Sequence, residues 1–189
     1  MKRSLRTFIV ASSLVGQLSL SPLIASAQDA TPTAPGAEAC TVEPRTEAEI
    51  LAIVEPDGTP IPYEDRSSDG PTGVTVVGPA DFATQQAVRD TVYQVLACGN
   101  AAMPLSAWAL YTDDFLVNQI DGDQIRNPMD DEEPPATLLD VTSVWMLSDG
   151  HAFAVAVVKA EDTEEGPPIQ GAGLYFAEVE GRWLIDGIY

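Results

Sequence analysis

Residues 81–99, DFATQQAVRDTVYQVLACG, constrain this chain more than any other stretch. Val88, Val92, Val95, Leu96 and Gly99 recur at helical spacing on one side, with Thr91 among them. Gln85, Gln86, Arg89, Asp90, Tyr93 and Gln94 fall on the other. The pattern predicts one long amphipathic helix. Asp81 can cap it, because a carboxylate there accepts from the orphan N–H groups of the first turn. Gly99-Asn100 is expected to supply the left-handed residue that ends it. A helix this one-sided has to be covered, and the cover is the strand-rich tail from Leu138 to Tyr189.

That tail reads as a meander. Leu138–Leu147 is rich in β-branched and aromatic residues, and Ser148-Asp149-Gly150-His151 is a hairpin signal, with His151 expected as a solvated turn residue. Ala152–Ala160 alternates Ala152, Ala154 and Ala156 with the larger Phe153, Val155 and Val157, a small face that lets a helix approach closely. Gly173–Glu180 and Arg182–Ile188 are joined through Glu180-Gly181. Helices followed by antiparallel strands predict an α+β fold.

Shorter signals precede and separate these elements. Thr46 and Glu49 have capping-box spacing, predicting a helix from about Thr46 to Val54. Val74–Val77 reads as a short edge strand or a lead into the Gly78-Pro79 turn. Pro104 can open a short helix carrying Leu105 and Trp108. Thr112-Asp113-Asp114 has the composition of another cap, ahead of Phe115-Leu116-Val117 as helix or strand. Residues 121–137 and 161–171 read as acidic loops.

The chain begins MKRSLR, runs apolar from Phe8 to Ile24 and then presents Ala25-Ser26-Ala27. Those are the features of a cleaved export signal, and the polar interruptions of the run argue against a retained membrane anchor. The expected location is secreted or otherwise extracytoplasmic, with no membrane association after cleavage. Removal of residues 1–27 leaves six basic residues against 29 acidic ones, a charge of −23. Such a surface repels nucleic acid and anionic lipid, and it suits solubility outside the cell better than recognition of basic partners. Two cysteines in an exported chain are read as one disulfide, Cys40 to Cys98. A reactive thiol is the competing reading, but there is no CxxC spacing and only one histidine. The expected organisation is a signal peptide at 1–27, an extended arm at 28–45, a short helix and loop at 46–80, and a main domain at 81–189.

The stretches VRDTVYQVLACGNA, LSAWALYTDDF and FAEVEGRWLIDGI together resemble the nuclear transport factor 2-like superfamily, also known as SnoaL-like domains. The lead from Cys40 to Arg45 is similar to exported bacterial proteins carrying that domain. The resemblance implies a cone, with helices packed on a strongly curved antiparallel sheet around a central pocket. Enzymes of the family place an acid or base there, often Asp with Tyr or His. The carriers it implies here are drawn from Tyr111, Asp113, Asp114, Asp140, Tyr175 and Asp186, with Asp114 or Asp186 as base and Tyr111 or Tyr175 as oxyanion donor. Against that, Asp114 suits a helix cap and Asp186 before Gly187 suits a strand-end turn. Trp108, Tyr111, Trp145 and Tyr175 are the expected pocket wall, although aromatics at such spacings more often form plain core.

Metal and cofactor chemistry find no motif. Asp121, Asp123 and Glu132 sit at calcium-loop spacing, but Ile125 and Arg126 stand where a ligand and the turning glycine belong. No cofactor is expected. Three readings follow: a non-catalytic domain binding a small apolar ligand or a protein partner, a SnoaL or ketosteroid-isomerase type enzyme using a buried Asp and a Tyr, and a homodimer formed through the sheet.

Overall fold

The computed structural model describes residues 34–58, 73–126, 135–160 and 169–189. Residues 1–33, 59–72, 127–134 and 161–168 lie outside the described residues, and with them the expected signal peptide and much of the stretches expected as acidic loops. Five α-helices occur among those described: α1 (Glu47–Val54), α2 (Phe82–Asn100), α3 (Pro104–Trp108), α4 (Asp113–Gln119) and α5 (Gly122–Arg126). The strands are β1 (Val76–Pro79), β2 (Ala136–Val141), β3 (Trp145–Leu147), β4 (Ala152–Ala160), β5 (Ile169–Val179) and β6 (Arg182–Ile188). They form one antiparallel sheet, ordered β1-β3-β4-β5-β6, with β2 also paired to β4. The fold is α+β. The sheet is open rather than closed, and the described residues belong to one compact unit, Pro32–Tyr189.

The small face of β4 sets the packing. Ala152, Ala154 and Ala156 are all buried, and with Val88 and Val92 of α2, Phe176 of β5 and Trp183 and Ile185 of β6 they make the main core. Methyl-sized side chains leave room in that layer for the valines of α2, whose nearest strands are β6 and β2. Thr91 adds a polar tie, its hydroxyl donating to the Trp183 carbonyl at 2.7 Å. Its burial among valines is tolerated because that hydrogen bond is made. At the far end of α2 the Asn100 amide exchanges two hydrogen bonds, each 2.8 Å, with the backbone of Ala136 at the start of β2.

Several expectations are corrected in detail. The single strand expected over Leu138–Leu147 is broken into β2 and β3, both lying along β4. The gap is stitched by Thr142, whose N–H donates to the Val155 carbonyl and whose hydroxyl accepts from the Val155 N–H. Residues 121–137 are not wholly loop, because Asp121 accepts from Gln124 N–H and opens α5. Ile125 is buried in a second apolar cluster with Ile50, Val54 and Leu116, which explains why a calcium ligand is missing there. Phe115–Val117 is helix, within α4, and Gly78-Pro79 lies inside β1.

The end of α2 is also displaced. Gly99 is exposed and helical, not part of the buried stripe and not the terminator. Ala102 takes the left-handed conformation, with φ of 52°. Its N–H donates to the Gly99 carbonyl and that of Met103 to the Cys98 carbonyl, each at 2.9 Å, the paired bonds of a Schellman ending. Glycine and alanine thus stand in each other's preferred places. Nothing lies near the site of an added Cβ at Gly99.

The arm is bound firmly to α2. Cys40 and Cys98 form the disulfide, with Cα atoms 4.7 Å apart. On either side of Cys40, the Gln94 amide accepts from the Thr41 N–H at 2.9 Å and donates to the Ala39 carbonyl at 3.1 Å. Arg45 then reaches across to the Tyr111 carbonyl and, at 2.6 Å, to Asp113.

Gly99→Ala is expected to stabilise the fold by about 0.5–1 kcal/mol through helix propensity, and Ala102→Gly by about 1 kcal/mol through relief of the left-handed alanine; urea denaturation of each variant and of the pair checks both. Replacing both cysteines by alanine is expected to cost at most about 4 kcal/mol, the loop-closure value for a cross-link of this span, read as a lowered urea midpoint.

Candidate functional site

Two recesses flank the arm. The larger is an open cleft of about 1000 Å³ between residues 43–45 and α1 on one side and the β5–β6 end of the sheet on the other. Trp183 and Ile185 point to the core, so the alternate Leu184 meets Ala177 on the cleft side. Register then slips: Tyr175 pairs with Gly187 and Phe176 with Ile185, leaving Asp186 as the extra residue of a β-bulge. Ile185 uses the opened backbone to bond outward, donating to the Leu110 carbonyl and accepting from the Thr112 N–H, each at 2.9 Å.

The bulge aims Asp186 into a charge knot. Its Oδ1 accepts from the Thr112 hydroxyl at 2.6 Å, and its Oδ2 lies 3.2 Å from Nε2 of His151. The other ring nitrogen, Nδ1, lies 3.2 Å from Asp149 Oδ2 but off the hydrogen-bond direction. Asp149 Oδ1 accepts from the His151 N–H. His151 is therefore half-buried between two carboxylates, not a solvated turn residue. Thr112 serves twice, since its oxygen also caps α4 by accepting from the Phe115 N–H. Every polar side chain of the knot already faces another, which suits a clasp between β6, α4 and the β3–β4 hairpin.

The remaining catalytic candidates are scattered. Asp113 and Asp114 are exposed in the first turn of α4, where negative charge favours the helix, and Asp113 also holds Arg45. Asp140 is exposed on β2, with Arg89 at 3.8 Å. Tyr111 stacks on Phe115 at 4.8 Å and packs against both apolar clusters. Burial pushes its hydroxyl up to about 12. Among the described residues no group of three or more His, Cys, Asp or Glu side chains is placed to hold a metal.

The expected pocket wall divides. Trp145 lies opposite Phe153, and Phe153 opposite Tyr175, so these form an aromatic ladder on the sheet face away from α2. Tyr175 meets Phe153 and Tyr189 edge-on, at 5.4 and 5.0 Å, and burial with nearby Tyr189 and Asp149 holds its hydroxyl above the usual range. Trp108 belongs instead to the smaller recess, an apolar cavity of about 340 Å³. Pro44, Met103, Leu105 and Ile125 line it with Trp108, and Glu47 and Ser106 are its polar members. Sequence reasoning passed over this recess, whose wall is drawn from residues 44–47, 102–108 and 125, stretches that no local pattern joins.

The raised Tyr111 hydroxyl has a pH consequence. An unfolded tyrosine ionises near its ordinary value of 10, whereas the folded one holds its proton to about 12. The unfolded state therefore sheds protons first, and stability is intact below pH 10 and falls as pH rises toward 12. About 2–3 kcal/mol is expected to be lost across that window. Denaturation at stepped alkaline pH should show a shallower loss in Tyr111→Phe.

Among the described residues no helix is long and apolar enough to cross a membrane. Comparison with family models, with curated proteins and with solved structures returns no match.

Proposed function

We propose that the chain is an exported, nuclear transport factor 2-like domain that binds a small apolar ligand without transforming it. The observation that carries this reading is the 340 Å³ cavity walled by Leu105, Trp108, Ile125, Met103 and Pro44. Its size and lining are those of small-molecule sites, mostly apolar with a few polar groups. Export is supported by the disulfide, which persists in oxidising compartments, together with the leader-like start of the sequence. The family reading is supported by the order of elements, helices first and then an antiparallel meander over α2.

An enzyme of the ketosteroid-isomerase type has less behind it. Asp114 is solvated, and both oxygens of Asp186 are engaged by Thr112 and His151. Tyr111 is partly buried and stacked on Phe115.

The test is titration with N-phenyl-1-naphthylamine, a neutral apolar dye whose emission rises on leaving water. Saturable one-to-one binding is expected, and Leu105→Trp, which fills the cavity, is expected to abolish it while far-ultraviolet circular dichroism stays unchanged. Absence of saturable binding, or binding indifferent to Leu105→Trp, overturns the proposal.

A further inference from the structure

We infer that the 340 Å³ recess takes an organic cation, with a hydrocarbon body seated against the wall and an ammonium head held at the rim by Glu47. This rests on the binding function proposed above and adds the head group of the ligand.

Glu47 is the one charged residue of the recess, and it is exposed, so its carboxylate stands where the recess meets water. The start of α1 does not occupy it. Thr46 and Glu49 close the capping box between themselves, the Thr46 hydroxyl accepting from the Glu49 N–H at 3.2 Å and the Glu49 carboxylate from the Thr46 N–H at 2.7 Å. The Glu47 carboxylate is left with no hydrogen bond or ion pair among the described residues. The positive end of a helix amounts to about half a charge, and the two carboxylates in the first turn of α1 outweigh it.

The cations nearest in sequence to the wall are committed elsewhere. Arg45, next to Pro44, donates to Asp113 and to the Tyr111 carbonyl, on the side of the larger cleft. Arg126, next to Ile125, is held by the buried Glu55 and lies 3.6 Å from Asp123. Among the described residues no arginine or lysine lines the recess. Its rim therefore keeps an uncompensated negative charge.

The wall fixes the rest of the ligand. Met103, Leu105, Trp108 and Ile125 offer apolar contact, so the body is hydrocarbon. An indole is also the aromatic surface best suited to a cation, and Trp108 shares the wall with Glu47. The chain carries 29 acidic residues against nine basic ones, a balance that draws cations to its surface and repels anions. A carboxylate head would meet Glu47 with nothing to neutralise either group, and a hydroxyl head would leave Glu47 as unpaired as before.

The experiment displaces N-phenyl-1-naphthylamine at neutral pH with octylammonium, 1-octanol and nonanoate, which share one alkyl tail and differ in the head. It is run on the unaltered protein, on Glu47→Gln and on Glu178→Gln, the last removing an exposed charge of β5 that lines neither recess. The unaltered protein is expected to bind octylammonium about threefold more tightly than octanol, the strength of one solvated ion pair, and to bind nonanoate more weakly than octanol. Glu47→Gln is expected to bring octylammonium level with octanol while dye affinity is unchanged. Glu178→Gln is expected to keep the preference, which separates the rim charge from the field of the whole chain. No preference for octylammonium in the unaltered protein, a preference that survives Glu47→Gln, or one lost equally in Glu178→Gln overturns this inference while leaving dye binding intact. Absence of saturable dye binding to the unaltered protein overturns this inference together with the function beneath it.

Discussion

The approach of α2 to the sheet, nearest at β6 and β2 and over the alanine face of β4, is the contact on which the rest of the molecule depends. Ala152, Ala154 and Ala156 present only methyl groups, so Val88 and Val92 can enter the layer that larger side chains would have filled. Once that distance is set, Thr91 reaches the Trp183 carbonyl and Asn100 reaches Ala136, two polar ties that require the helix to lie close to the sheet. Apolar burial supplies the drive, and these hydrogen bonds fix its geometry.

From that framework the arm is hung by covalent and polar means rather than by a core of its own. Gln94 brackets Cys40 with hydrogen bonds to both neighbouring backbone segments, so the disulfide closes a contact that the amide already orients. Arg45 then carries the arm to the small helical cluster around Ile50, Leu116 and Ile125. Pro44 consequently forms part of the wall of both recesses. The two sites are distinct in chemistry, one broad and charged, the other narrow and apolar, yet they share one short piece of backbone.

Much of the framework was legible because it depends on local pattern. The period of Val88 and Val92, the capping box at Thr46 and Glu49, the alternation along Ala152–Ala160 and the Glu180-Gly181 turn each declare an element within a few residues. What escaped depends on contacts across the chain. Gly99 advertised a helix end that Ala102 provides, because the position of the end was decided by Met103 and Cys98 and by the start of α3. His151 looked like a turn residue until the bulge in β6 brought Asp186 beside it. The four aromatics grouped as one wall divide because Trp145 and Tyr175 occupy the sheet face turned away from α2, while Trp108 packs with the short helices. Which face a strand residue occupies follows from register, and register is not written in any one strand.

The unpaired residue in β6 has a further meaning for how the chain finds its native pairing. A regular hairpin can slide by two residues and still present the same faces, whereas in this one the inserted residue marks a single alignment, and sliding would carry Asp186 away from its partners. Its carboxylate is held from one side by Thr112, 74 positions earlier, and from the other by His151 on the neighbouring hairpin. Correct alignment of the last strand is thus read out by partners that arrive from two other parts of the molecule. A misaligned sheet would announce itself as an orphaned acid, a form of proofreading built into the backbone.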